Sequence, residues 1–275
     1  MKVSILIDNR PSDNPVLVSE HGFSALATTN ENRRILVDTG LSGRAFDNAS
    51  ALGIDMQNID YLILSHGHKD HTGGLERFVT INKNAKIIAH SAIQNFDYQS
   101  NRGGKWHSLS PDQDIIRKNF DRFIFIDDNY PIDNNIIIIK NKTTIHPRPL
   151  GNRYLYLISN SEALPYPASD EISLCINHDG RLTIISPCSH NGLLNIADEC
   201  CNIMKTNNIA AFIGGLHLLD GEGDNIEKLS STIIKKYPQM RLYTGHCTGN
   251  EACNMLANGL GAHFNVFKTG DTIKI

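Results

Sequence analysis

His66-Gly67-His68-Lys69-Asp70-His71 follows an apolar run, Tyr61-Leu62-Ile63-Leu64-Ser65, and precedes Thr72-Gly73-Gly74. Imidazole and carboxylate are the ligands that borderline divalent metals such as zinc, iron and manganese accept. Four such side chains within six residues suit two ions better than one. His66 and His68 are placed to hold a first metal, while Asp70 and His71 turn toward a second as the chain enters a helix. The competing reading, a solvated turn that happens to be rich in histidine, fits poorly with a position at the end of a buried strand.

Outward from this motif the same arrangement recurs: an apolar strand, then a histidine, then a helix or a glycine turn. It is found in AKIIAHSAIQNF, RLTIISPCSHNGLLNI, IAAFIGGLHLL and RLYTGHCTGNEACNML. In open α/β sheets ligands gather beyond the carboxyl ends of the strands, so histidines repeated there can converge from distant segments. His190 and His246 are the expected further metal ligands, because each follows an apolar strand and precedes a glycine-containing turn. His190 also reads as a histidine at the start of the helix NGLLNIADECC. Cys188 is either an extra ligand or an inert buried thiol. His217, in GGLHLL, reads either as a core histidine or as a group lining the site; His21 and His90 share that ambiguity. His107, His146, His178 and His263 carry no functional claim.

Before the motif, VSILI, FSALATT and RRILVD read as successive antiparallel strands, and from residue 42 strand and helix alternate as in an α/β layer structure. No linker or low-complexity tract divides the 275 residues, so a single domain spanning 1–275 is expected. Residues 95–168 are more polar and irregular. They are expected to form a lid or substrate-pocket insertion, in which Arg102, Lys105 and Trp106 supply charge and a stacking face.

Apolar residues make up 40% of the chain and charged residues 20%, the balance of a folded globular protein. A formal charge of −3 provides no basic excess for a nucleic-acid backbone. The opening MKVSILIDNRPSDN is too short in apolar residues for a signal-peptide core, and no run approaches a membrane span. Cys175, Cys188, Cys200, Cys201, Cys247 and Cys253 include no CxxC pair, so reduced thiols in the cytoplasm are expected. The expected partner is a small-molecule substrate, with no nucleic acid and no membrane; the oligomeric state stays open.

The HxHxDH motif resembles the signature of the metallo-β-lactamase superfamily at all four ligand positions. Ile35-Leu36-Val37-Asp38-Thr39-Gly40 is similar to that superfamily's first motif, whose aspartate supports the metal-binding loop; Asp38 would then orient ligating histidines by hydrogen bonding. Six pieces, one of them containing the HxHxDH motif, are similar to one branch, the dihydropterin-ribofuranosylaminobenzene-phosphate synthases and their bacterial relatives. They are Glu20-His21-Gly22, SHGHKDHTGGL, Asp170-Glu171, Cys188-Ser189-His190-Asn191-Gly192, Gly214-Gly215-Leu216-His217-Leu218 and Gly245-His246-Cys247-Thr248-Gly249. The resemblance implies an α/β (α+β) fold, a four-layer αββα sandwich of two mixed β-sheets flanked by helices. The chain departs from the wider superfamily where a third-motif histidine and a bridging aspartate are usual, having Asp170-Glu171 and Pro187-Cys188 instead. Glu171 therefore joins Cys188 as a candidate extra ligand.

The expected function is that of a metal-dependent hydrolase. Two divalent ions, zinc first with iron or manganese as alternatives, would be held by His66, His68, Asp70, His71, His190 and His246. A metal-activated water or hydroxide would attack a small anionic or phosphorylated substrate, pterin-related if the resemblance extends that far. Asp70 and His217 are the expected catalytic groups. The alternatives are an iron-dependent oxygenase or oxidoreductase on the same fold and a non-catalytic small-molecule-binding protein.

Overall fold

The structure, a computed structural model, describes residues 1–220 and 223–275. It divides into two compact units: Met1–Asp127 with Tyr154–Tyr166 and Phe267–Ile275, and Asp128–Arg153 with Pro167–Val266.

The first unit is built on a seven-stranded sheet in the order Thr272–Lys274, Lys2–Ile7, Ser24–Thr28, Arg34–Val37, Tyr61–Leu64, Lys86–His90, Phe123–Ile126. The opening strands pair antiparallel, as their closeness in sequence demands, and from Arg34–Val37 onward every pairing is parallel. The switch falls where helices begin to connect the strands, since parallel neighbours need a crossover. Leu36, Leu62, Leu64 and Ile87 pack on Phe46, Ala49 and Phe78 from the helices Arg44–Ala51 and Leu75–Ile81. The register pairs Val37 with Ile63 and Leu64 with Ala89, so Asp38, the motif after Leu64 and His90 leave the sheet at one carboxyl edge.

The second unit repeats this plan with a seven-stranded sheet in the order Phe264–Val266, Arg241–Thr244, Ile209–Ile213, Arg181–Ile185, Ile172–His178, Ile136–Lys140, Tyr130–Pro131. Its first four strands are parallel and the rest antiparallel. The helices Leu193–Met204, Gly223–Lys236 and Asn250–Leu260 bury Ile196, Cys200, Ile233 and Leu256 against Ile184, Phe212 and Leu242. Each fully buried aliphatic or aromatic side chain of this kind contributes about 1.5–3 kcal/mol. Ile185 pairs with Ile213 and Ile213 with Tyr243, which brings the turns that follow them to one edge.

Residues 95–168 are more regular than their polar sequence suggests. Asp97–Arg102, Lys105–Ser108, Leu155–Ser159 and Glu162–Pro165 form a four-stranded antiparallel sheet in the first unit. Arg102 pairs with Lys105 around Gly103-Gly104, at φ 60° and 81°. A two-residue hairpin turn with both φ angles positive is the geometry that glycine pairs favour. The segment Ile136–Lys140 instead joins the second unit's sheet. Among the described residues no helix is long and apolar enough to cross a membrane.

Candidate metal centre

In the first unit the four motif side chains gather at the carboxyl end of Tyr61–Leu64. The His66 ring centroid lies 4.4 Å from that of His68 and 4.3 Å from that of His71, and all three residues are buried. Asp38, also fully buried, is the hub. Its Oδ1 accepts from the Ser65 N–H at 2.7 Å, and its Oδ2 accepts from Ser65 Oγ at 2.7 Å and from His71 Nδ1 at 2.6 Å. Ser65 Oγ in turn lies 2.9 Å from His66 Nδ1. One carboxylate thus sets the orientation of two histidines, as the sequence led us to expect of Asp38. With Nδ1 committed to Asp38, His71 turns Nε2 toward Asp70, 3.5 Å from Oδ2. Two ligands on one tetrahedral zinc ion stand about 3.4 Å apart, so this pair has the spacing of a shared ion.

The electrostatics also favour a cation. Burial opposes charge on the His71 ring, but the carboxylates of Asp70 and Asp38 overcome it and push its pKa up to about 10. The same two carboxylates that favour a proton on the ring place negative charge where a cation would sit. His21 adds a further nitrogen, with Nε2 3.3 Å from Asp70 Oδ2 and Nδ1 3.1 Å from the Asn9 carboxamide.

Two residues from the 95–168 segment wall in the motif. Tyr98 and Tyr166 bring their rings to 5.4 Å and 5.1 Å from that of His68. A Cβ at position 67 would meet the Tyr98 ring at 2.3 Å, so the motif's second residue has to be glycine for this wall to close. Arg102 lies over the Tyr154 ring at 4.3 Å, and Trp106, half exposed on the hairpin, packs on Tyr156.

In the second unit the turns after Arg181–Ile185, Ile209–Ile213 and Arg241–Thr244 carry Cys188 and His190, His217, and His246 and Cys247. The ligand atoms of Cys188, His190 and His217 lie within 4.8 Å of one another, as do those of Cys188, His246 and Cys247. The rings of His190 and His217 are 4.4 Å apart. Ser189, His217 and His246 sit at φ 54°, 51° and 47°, left-handed conformations that cost on the order of 1–3 kcal/mol each and gather at functional sites. The turns are tied together: Gly215 N donates to the Pro187 carbonyl at 2.7 Å and Leu216 N to Thr248 Oγ1 at 3.0 Å.

Glu171 is used differently. Its Oε1 accepts from the His190 N–H at 2.6 Å, and its Oε2 accepts from Asn191 N at 2.8 Å and Asn191 Nδ2 at 2.9 Å. Both oxygens accept hydrogen bonds from the turn that presents His190. His90 accepts from Ala92 N at 3.1 Å and caps the short helix Ser91–Gln94. Asn152 escaped the sequence reading: it hydrogen-bonds both the ring and the carbonyl of His190. Nothing in the irregular-looking stretch around it marks one asparagine among several.

A family model described as the metallo-β-lactamase superfamily matches residues 20–149. A 7,8-dihydropterin-6-methyl-4-(β-D-ribofuranosyl)-aminobenzene-5′-phosphate synthase of Methanocaldococcus jannaschii is 31% identical, with 100% of this chain and 96% of the relative covered. The chain belongs to the metallo-β-lactamase superfamily. A second, uncharacterised relative from the same organism is 30% identical, with 93% of each chain covered. The crystal structure of a metal-dependent hydrolase of the β-lactamase superfamily has a TM-score of 0.82 and 26% identity, covering 100% of this chain and 99% of that one. The expected metallo-β-lactamase fold is therefore the observed one, with one mixed seven-stranded sheet and its helices in each unit.

Proposed function

We propose that this superfamily member is a metal-dependent hydrolase of small anionic or phosphorylated molecules, with pterin-related compounds the first class to test. The observation that carries the reading is the Asp38–His71–Asp70 arrangement, in which one carboxylate orients the imidazole and the other stands beside its second nitrogen at ligand spacing.

The ligand set proposed is His66, His68 and His190 for one ion and Asp70, His71 and His246 for the other, both zinc. The assignment of His190 and His246 rests on their strand-end positions and on family membership. A two-metal centre supplies Lewis acidity and an activated water at neutral pH. Asp70 orients the attacking water through its carboxylate. His217, packed on His190 in a left-handed turn, delivers a proton to the leaving group. Tyr98 and Tyr166 exclude bulk water beside His68. His21, largely exposed next to Asp70, meets an anionic substituent of the substrate. The hairpin bearing Arg102, Lys105 and Trp106 belongs to the substrate wall. The site of action is the cytoplasm.

A second reading has a specific observation behind it: a relative similar along the full chain is a synthase. In that case the same groups activate one substrate for attack by another rather than by water. Zinc-reconstituted protein offered phosphomonoesters, phosphodiesters and lactones, and in parallel a dihydropterin with a phosphorylated ribosyl-aminobenzene, decides between them. Water-dependent product formation that is lost in a His68→Ala variant supports hydrolysis. A condensed product with no hydrolysis of any ester overturns it.

A further inference from the structure

Two thiols of the second unit are not used by the proposed mechanism. Cys188 and Cys247 are 59 positions apart in the chain, yet their sulfurs lie 3.2 Å from each other. They leave the sheet on either side of the strand Ile209–Ile213 and meet over its end. Gly215 makes this meeting possible, because a Cβ there would stand 2.6 Å from Cys247 Sγ. Cys247 Sγ is further held by the His217 N–H at 3.2 Å, and it lies 3.7 Å from the Cys188 carbonyl oxygen. A disulfide needs sulfurs about 2.0 Å apart, so the turns must close by roughly 1.2 Å. Cys188 is buried and Cys247 partly exposed, which gives an oxidant a first point of attack and the resulting group a resolving thiol beside it. Cys175 and Cys200, by contrast, are packed inside the apolar core.

We infer that Cys188 and Cys247 are a peroxide-reactive dithiol, a modification site that closes to a disulfide joining the turns of His190 and His246. Peroxide transfers one oxygen to the Cys247 sulfur, breaking its O–O bond and leaving as water; Cys247 becomes a sulfenic acid. The Cys188 sulfur then attacks that sulfur. The S–S bond forms, the S–O bond breaks, and the departing hydroxide takes the Cys188 proton as a second water. The balance is two thiols oxidised and one peroxide reduced to two waters. Closure draws together the turns that present His190 and His246, whatever metal they hold.

The test is made on the full-length protein, metal-loaded and metal-stripped, treated with hydrogen peroxide, alkylated and digested for mass mapping. The expected result in both forms is a cross-linked peptide pair containing Cys188 and Cys247, with one hydrogen lost from each thiol and full recovery by dithiothreitol. Cys247→Ser should abolish the cross-link. A cross-link that maps to Cys175 and Cys200, one that persists in Cys247→Ser, or oxidation of Cys247 to the sulfinic acid with no cross-link would each overturn the inference. Because the readout is mass, failure here is distinct from failure to bind metal or to hydrolyse esters.

Discussion

Asn152 grips His190 at two points: its Nδ2 donates to the His190 carbonyl at 2.8 Å, and its Oδ1 lies 3.0 Å from the ring Nδ1. The geometry fixes the imidazole's tautomer. A carbonyl can only accept, so the amide nitrogen must face it and the amide oxygen must face the ring. Nδ1 then carries the proton and Nε2 the lone pair, which is the form a metal takes.

Replacing Asn152 with alanine should release this constraint. We expect metal affinity to fall about 10–100-fold, the range for partners that orient a ligating histidine. In the metal-free protein, ¹⁵N chemical shifts of the His190 ring should move from the Nδ1–H tautomer to a mixture. Unchanged shifts and unchanged affinity would show that Asn152 merely packs.

Asp38→Asn retains the shape of the hub but exchanges one acceptor oxygen for a donor. Oδ1 and Oδ2 together accept three hydrogen bonds, and an amide cannot accept them all. Chelator competition should report about 10–100-fold weaker metal binding, with circular dichroism retained. Wild-type affinity in this variant would remove Asp38 from the account.

Glu171 is predicted to build its turn rather than ligate. Glu171→Gln sets an N–H group against backbone donors at His190 or Asn191, and a buried polar group so mismatched costs about 1–3 kcal/mol. Chemical denaturation of the metal-free protein should show that loss. An unchanged midpoint, coupled with loss of bound metal, would make Glu171 a ligand instead.

Asp198 governs part of the acid stability. Burial raises its pKa, but hydrogen bonds from Lys236, Tyr237 and His146 outweigh this and leave it below the usual carboxylate value. Because the folded-state value is the lower one, the stabilisation is complete above the unfolded-state value of about 3.9 and disappears as pH falls through the folded-state value. Asp198→Asn should therefore be less stable than wild type at pH 7 by on the order of 1–3 kcal/mol. The gap should narrow below about pH 4. A gap that widens on acidification would reverse the sign of the argument.

The strand-then-histidine pattern was readable because it depends only on local order: an apolar run sets a strand, and the residue after it arrives at the sheet's edge. The register of Val37 with Ile63 and of Ile185 with Ile213 then brings Asp38 and the turn of His190 each to the carboxyl edge of its own sheet. What stayed hidden depends on contacts made across sequence. Asn152 finds His190 from 38 positions away. Tyr98 reaches His68 from a strand and Tyr166 from just past the end of one, in a stretch that looked like irregular loop because the Gly103-Gly104 hairpin turn lay among polar residues without apolar alternation. Glu171 has the chemistry of a ligand, and only its hydrogen bonds reveal that it serves the backbone of His190 and Asn191.

The claim that His66, His68, Asp70, His71, His190 and His246 hold a two-metal centre is tested most directly by counting metal. Protein produced with zinc and purified without chelator should carry about two ions per chain. Anomalous diffraction at the zinc edge should place a ring nitrogen of His190 and of His246 within about 2.0–2.3 Å of an ion, and His68→Ala should lower the count. Wild-type protein that holds no metal, or a His68→Ala protein that keeps both ions, would contradict the assignment.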